Sequence, residues 1–273
     1  MTGQKFKIVV LTHGGAERFL ELLSAFQNIE IAGVFVEKAT EKKRSFGQKI
    51  KRSIRYDGYF ATFKKTTAKL LGGRSDGAEE SRSVQKNRDD LVKCAKELKI
   101  PIYAVENYHS PDTLKLLRET GADLGVLYGT NIVDETVFSI PRLGSINIHQ
   151  GLAPAYRGGP PVFWELFNGE KEVGITVHFV AAKVDSGDII LQTTVPLEYD
   201  HSDYGRNYEE FLHDFRALLK EPSAQLLAEA VRQIAEGKER RIKQDTTVGK
   251  RYRLPIKSEK DELLRVLSER RKT

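Results

Sequence analysis

Residues 5–38 read KFKIVVLTHGGAERFLELLSAFQNIEIAGVFVEK. An apolar run breaks at Gly14-Gly15, and Phe19, Leu22, Leu23 and Phe26 then recur at helical spacing. EIAGVFVEK (30–38) restarts a short, β-branched apolar run. Strand, glycine turn, helix and strand in close succession specify a parallel pair joined by a right-handed crossover. The His13-Gly14-Gly15 turn has the spacing of neither a dinucleotide fingerprint nor a P-loop, so it is assigned no phosphate.

The alternation continues outward. RDDLVKCAKELK (88–99) predicts an amphipathic helix that feeds the strand IPIYAVE. SPDTLKLLRETG predicts a helix with Ser110 as N-cap, Pro111 in its first turn and Gly121 past its end. ADLGVLYG and SINIH follow as strands, so the first 150 residues have the pattern of an open α/β sheet. Beyond a short helix at 164–168, VGITVHFV and DIILQTTVPLE predict neighbouring strands joined by AAKVDSG, and helices are expected around 207–219 and 222–236. One domain over 1–237 and an extension over 238–273 are expected.

The chain has 273 residues, 40% hydrophobic, ample for a large core. A single cysteine, Cys94, excludes a disulfide framework, and no Cys-His group has zinc-finger spacing. The opening apolar run is too short for a signal segment, and no 18-residue apolar run occurs. A cytoplasmic protein is the expectation, with peripheral membrane contact as an added option.

Charge is unevenly placed. Net +10 falls on 38–74 and +7 on 238–273 in a chain of net +6, which leaves the rest at −11. The first basic segment belongs to an insert over 38–88. In it Phe46, Ile50 and Ile54, then Phe60, Phe63, Thr67 and Leu70, predict two helices, while the polar stretch 72–87 predicts a mobile loop. The segment suits a solvated helical hairpin or an anionic partner, lipid, nucleic acid or saccharide-phosphate. The tail is expected to dock on the acidic body or on a second copy in a homodimer.

Ligands in open α/β sheets sit beyond the carboxyl ends of the strands. The loop after ADLGVLYG, the end of SINIH and the AAKVDSGD connection should converge there, bringing Asn147, His149 and Asp185 together with His178 opposite. Asn donates to a developing oxyanion, His moves protons near neutrality and Asp orients an imidazole. No G-x-S-x-G elbow supplies a nucleophile, so the attacking group must come from outside. Each residue also has a plainer use: an Asx-turn for Asp185, a core position for His178 or Trp164, turn-shaping for Arg157.

NIHQGLAPAYRGGPPVFWELFNGEKEVGITVHFV followed by VDSGDIILQTTVPL resembles the folate-dependent formyltransferases, a family that includes glycinamide ribonucleotide transformylase, methionyl-tRNA formyltransferase and the sugar N-formyltransferases. The likeness is concentrated in 120–200. It implies a Rossmann-like catalytic fold over 1–237 and one-carbon transfer from N10-formyltetrahydrofolate as co-substrate, without a metal. It places the family's catalytic Asn, His and Asp on Asn147, His149 and Asp185, with a protonated His149 beside Asn147 at the oxyanion. It places folate-binding backbone at Tyr128, Gly129, Thr130, Asn131, Ile132 and Val133, and at Ala181 and Val184. His178, Arg157 and Trp164 are candidates for the amine side. Where the family reads His-x-Ser-x-Leu-Pro, Gln150-Gly151-Leu152-Ala153-Pro154 lacks the Ser and the second Leu.

Within the family, the 36 residues after Gly237 are fewer than a tRNA enzyme's barrel needs, and Thr12-His13-Gly14-Gly15-Ala16 is not the purine enzymes' phosphate loop. The expected acceptor is therefore an amino sugar, nucleotide-linked, with tRNA set aside. A formyltetrahydrofolate hydrolase, a purine-type transformylase and a non-catalytic binding protein using its basic surface are the alternatives.

Overall fold

The computed structural model describes residues 5–38, 51, 55–56, 77–197 and 208–270. β1 (Phe6–Thr12), α1 (Glu17–Ser24) and β2 (Ile29–Glu37) form the expected crossover, with β1 and β2 parallel. Burial explains their composition: Ile8, Val9, Val10 and Leu11 are enclosed on both faces, as in a parallel sheet covered by helices on each side.

α2 spans Gly77–Glu97, so 77–87 is helical rather than the expected loop. The stretch is polar but rich in Glu, Gln, Lys and Arg, which lose little on entering a helix, and it extends the amphipathic segment that buries Leu91 and Ala95. The two helices expected over 46–70 lie outside the described residues, apart from Lys51, Arg55 and Tyr56, which are helical.

β3 (Ile102–Val105), α3 (Pro111–Glu119), β4 (Leu124–Tyr128), α4 (Glu135–Phe138) and β5 (Ser145–His149) complete the parallel part. The Ser110 hydroxyl accepts the Thr113 amide, capping α3 as its sequence predicts. β6 (Tyr156–Gly158) and α5 (Phe163–Asn168) lead to β7 (Glu172–Phe179) and β8 (Ile189–Pro196). β7 is antiparallel to β5 and β8 antiparallel to β7, giving a seven-stranded sheet in the order β3-β2-β1-β4-β5-β7-β8. α6 (Tyr208–Leu218) and α7 (Lys220–Ala235) follow, and α7 buries Leu227 and Val231 in the main core.

The tail returns to the body. Ile242 bridges Ile189 at the start of β8, β9 (Lys250–Tyr252) pairs in parallel with β6, and α8 (Lys257–Arg270) buries Leu263 and Leu267 against the cluster holding Phe163 and Trp164. Backbone pairing and apolar burial hold it, where charge attraction to an acidic body was expected. Among the described residues no helix is long and apolar enough to cross a membrane.

Candidate functional site

Three strand ends meet where β4, β5 and β7 lie side by side. Register puts Leu127 of β4 beside Asn147 of β5, and Asn147 directly opposite His178 of β7. Asn147 and His149 are two apart, so both side chains leave the same face. The β7–β8 connection then folds back over this face. A Cβ at Gly187 would lie 1.8 Å from the Phe179 carbonyl oxygen, so only glycine permits the fold-back. Asp185 within it sits at φ 50°, a left-handed conformation that Asp tolerates better than most residues.

The Asp185 carboxylate is the hub. Oδ2 accepts the Gly158 amide at 2.9 Å and lies 3.4 Å from His149 Nδ1; Oδ1 lies 3.4 Å from His178 Nε2. Asn147 Nδ2 is also 3.4 Å from His178 Nε2. Burial pushes the Asp185 carboxyl up, but the hydrogen bond with His178, the His149 ring and the Gly158 amide outweigh it and hold it at about 2.

His149 Nε2 contacts the Tyr156 carbonyl at 2.8 Å. A carbonyl only accepts, so Nε2 carries the proton and the neutral ring keeps its lone pair on Nδ1, toward Asp185. Burial drives the His149 pKa down, with the His178 ring adding to the effect, while Asp185 and the Tyr156 carbonyl pull the other way without overcoming it. The net direction favours the neutral ring at rest.

The replaced HQGLAP loop has its own fastening. The Thr176 hydroxyl donates to the Gly151 carbonyl at 2.7 Å and accepts the Ala153 amide, while Gln192 Nε2 donates to the Ala153 carbonyl. A Cβ on Gly151 would meet His149 Nε2 at 2.5 Å and the Tyr156 oxygen at 2.8 Å. Glycine at this position is what lets the carbonyl reach the ring.

Of the other candidates, Tyr128–Val133 forms the end of β4 and the loop beside Asn147, with Ile132 75% exposed and Val133 buried. Ala181 and Val184, both half-buried, precede Asp185. The buried Arg157 guanidinium is occupied by the carbonyls of Pro154 and Thr246, which ties the tail to the turn. Trp164 is buried in a core cluster, donates Nε1–H to the Arg253 carbonyl and also lines a shallow, tightly packed crevice. That crevice runs past His149, Tyr156, Trp164, Glu165 and Tyr252. Glu165 and Tyr252 were not anticipated. The signal for Glu165 was present as an acid inside the apolar run VFWELF; Tyr252 carried none, because strand pairing over ninety residues is invisible to local pattern. Among the described residues no group of three or more His, Cys, Asp or Glu could hold a metal ion.

Residues 6–217 match the family model "Formyl transferase", and the chain belongs to that family. It is 32% identical over 148 residues to the methionyl-tRNA formyltransferase of Azobacteroides pseudotrichonymphae, covering 54% of this chain and 43% of that protein. The chain thus spans less than half the length of that curated relative. Among solved structures it resembles glycinamide ribonucleotide transformylase 1 from Symbiobacterium toebii (TM-score 0.56, 21% identity, 88% of this chain and 96% of that one). It also resembles an N-formyltransferase from Helicobacter canadensis, solved in complex with folinic acid and dTDP-3-aminofucose (TM-score 0.53, 15% identity, 91% and 70%).

Proposed function

We propose that this chain transfers the formyl group of N10-formyltetrahydrofolate to a primary amine. The observation that carries the reading is the meeting of Asn147, His149, His178 and Asp185 around one carboxylate at the strand ends of a formyl transferase family member. No nucleophilic side chain stands among them, which suits attack by a bound amine.

In this mechanism the Asn147 amide donates to the formyl oxygen as it gains charge, a contact worth roughly 3 kcal/mol in a water-poor site. His149 Nδ1 takes the proton that the attacking nitrogen must lose. The imidazolium so formed faces the Asp185 carboxylate, ionised throughout, and the Tyr156 carbonyl holds the ring's other nitrogen in place. His149 then returns the proton to the departing folate nitrogen. The loops at Tyr128–Val133 and Ala181–Val184 flank this point and would hold the folate, with exposed Ile132 as an apolar lip.

The acceptor we propose is a nucleotide-linked amino sugar. Exposed Lys250 and Arg251 on β9, paired beside β6 at the crevice, offer cations to a diphosphate. The likeness to a protein solved with dTDP-3-aminofucose supports the same class. A purine-type acceptor is disfavoured at the loop after β1, because the half-buried Glu17 carboxylate stands beside it where a phosphate would sit. A second reading, an aminoacyl-tRNA acceptor, has the 32% identity to a methionyl-tRNA formyltransferase in its favour.

The test is a spectrophotometric assay with N10-formyltetrahydrofolate, with amino-sugar nucleotides and methionyl-tRNA offered separately. Amine-dependent turnover that vanishes in Asn147→Ala and His149→Ala supports the reading. Loss of formyl without any amine would make the protein a hydrolase, and no folate binding would sink the reading.

A further inference from the structure

We infer that the C-terminal segment 242–252 clamps the His149–Asp185 pair from behind, and that Gln244 is the residue through which it positions Asp185. On the formyl-transfer reading, this adds a positioning residue that touches none of the reacting atoms. The pair does not hold its own geometry. Asp185 lies 3.4 Å from each imidazole, too far for a strong hydrogen bond, and its one short bond is the 2.9 Å contact from the Gly158 amide. Its place is therefore set by two stretches of backbone: the β7–β8 connection that carries it and the β6 strand that carries Gly158. The tail grips both.

On the first stretch, Ile189 and Ile242 exchange two backbone hydrogen bonds of 2.8 Å each. Two residues further along the tail, Gln244 turns inward. It is 8% exposed between exposed Lys243 and Asp245, and its Nε2 donates to the Gly187 carbonyl at 2.6 Å. That carbonyl belongs to the glycine of the fold-back, two residues from Asp185. A buried carbonyl needs a donor, and the side-chain amide supplies one where no strand continues. At the other end of the same connection, the Arg241 guanidinium lies 4.0 Å from the centre of the Phe179 ring.

On the second stretch, successive residues of a strand turn their N–H and C=O groups to opposite edges. The Tyr156 carbonyl and the Gly158 amide face the site, 2.8 Å from His149 Nε2 and 2.9 Å from Asp185 Oδ2. The other edge pairs with β9: the Lys250 amide donates to the Ala155 carbonyl at 3.1 Å, and Arg157 is in register with Arg251. The Arg157 guanidinium adds a bond to the Thr246 carbonyl at 3.1 Å. One short run of tail thus braces what stands at both ring nitrogens of His149, Asp185 at Nδ1 and the Tyr156 carbonyl at Nε2.

The plain alternative is that Gln244 only fastens the tail to the body. Gln244→Met separates the two, because methionine keeps the length and bulk of the side chain and has no N–H to give the Gly187 carbonyl. The first measurement is the titration of His149 in the full chain by nitrogen-15 imidazole NMR, with its signal assigned by loss in His149→Ala. The titratable groups facing this ring are Asp185 and His178, with Tyr156, Glu165 and Tyr252 along the neighbouring crevice. Release of Asp185 withdraws a negative charge from Nδ1, so Gln244→Met should lower the His149 midpoint by about one pH unit. In an Asp185→Asn background the same substitution should leave the midpoint unmoved, because no charge remains to be displaced. A midpoint that stays put in Gln244→Met, or that moves as far in the Asp185→Asn background, overturns the inference. Neither result depends on turnover, so this arm stands apart from whether formyl transfer itself is found.

Gln244→Asn, whose amide falls one methylene short of the carbonyl, repeats the test with the polar group kept, and takes over if Gln244→Met does not fold. It should lower the midpoint in the same direction. With an amine that the wild type formylates, Gln244→Met should lower kcat about tenfold at unchanged folate affinity. A loss confined to the urea midpoint, with kcat intact, would leave Gln244 a fastening and overturn the inference.

Discussion

Two histidine–acid pairs sit at strand ends of the same sheet and differ in slack. At β1 and β2, His13 Nε2 meets Glu37 Oε2 at 3.0 Å, Glu37 Oε1 accepts the Tyr108 amide at 2.9 Å, and the Tyr108 hydroxyl donates to the Thr12 carbonyl. Arg88 also donates to the Glu37 carbonyl at 2.7 Å. At β5 and β7 the contacts around Asp185 from His149 and His178 are 3.4 Å, too long for strong hydrogen bonds. A network of short hydrogen bonds stabilises a fold; a cluster with longer contacts can bind something in passing. Strand-end location alone does not separate the two.

The largest expected effect breaks the comparison at the second pair. Asn147→Ala or His149→Ala should cut formyl transfer by about 10²–10³ with near-normal melting, whereas His13→Ala should leave turnover intact, both read by the folate assay alongside calorimetry. Gly151→Ser should follow at about 10²-fold, because its side chain must displace either the His149 ring or the Tyr156 carbonyl; a structure of the variant would show which.

Stability sharpens the contrast from the other side. Glu37→Ala leaves the Tyr108 amide buried without its acceptor and should cost about 1–3 kcal/mol in urea unfolding, with kcat unchanged. Asp185 has a depressed carboxyl pKa, about 2 against 3.8, so its contribution is present above pH 4 and is lost as pH falls toward 2. That contribution is roughly 2 kcal/mol, and Asp185→Asn should flatten this part of the acid-unfolding curve. Glu165 runs the opposite way: with its pKa raised to about 7, stability is full below pH 4.5 and falls as pH rises through 7. Glu165→Gln should accordingly melt higher than wild type at pH 8.

Much of this molecule is legible in local pattern. The Gly14-Gly15 break, the Ser110 cap and the period-two runs of 145–149 and 172–179 all describe elements whose neighbours in sequence are their neighbours in space. The spacing of Asn147 and His149 likewise fixes their common face. The helix over 77–87 was misread because polarity was taken for irregularity, although its Glu, Gln, Lys and Arg are good helix formers. The tail was read by its charge, yet its Tyr252 and Leu263 do the docking.

From the amino-acid order alone came the parallel α/β framework, by its periodicity, the shared face of Asn147 and His149, by their spacing, and the family, by resemblance. Only the tertiary structure decided that burial lowers the His149 pKa while its Nε2 meets the Tyr156 carbonyl, that Glu165 shares its crevice, and that the C-terminal strand forms part of the wall. Protonation and access depend on what burial places around a group, and burial here is set in part by Tyr252, about a hundred positions from His149 and beyond the reach of any local pattern.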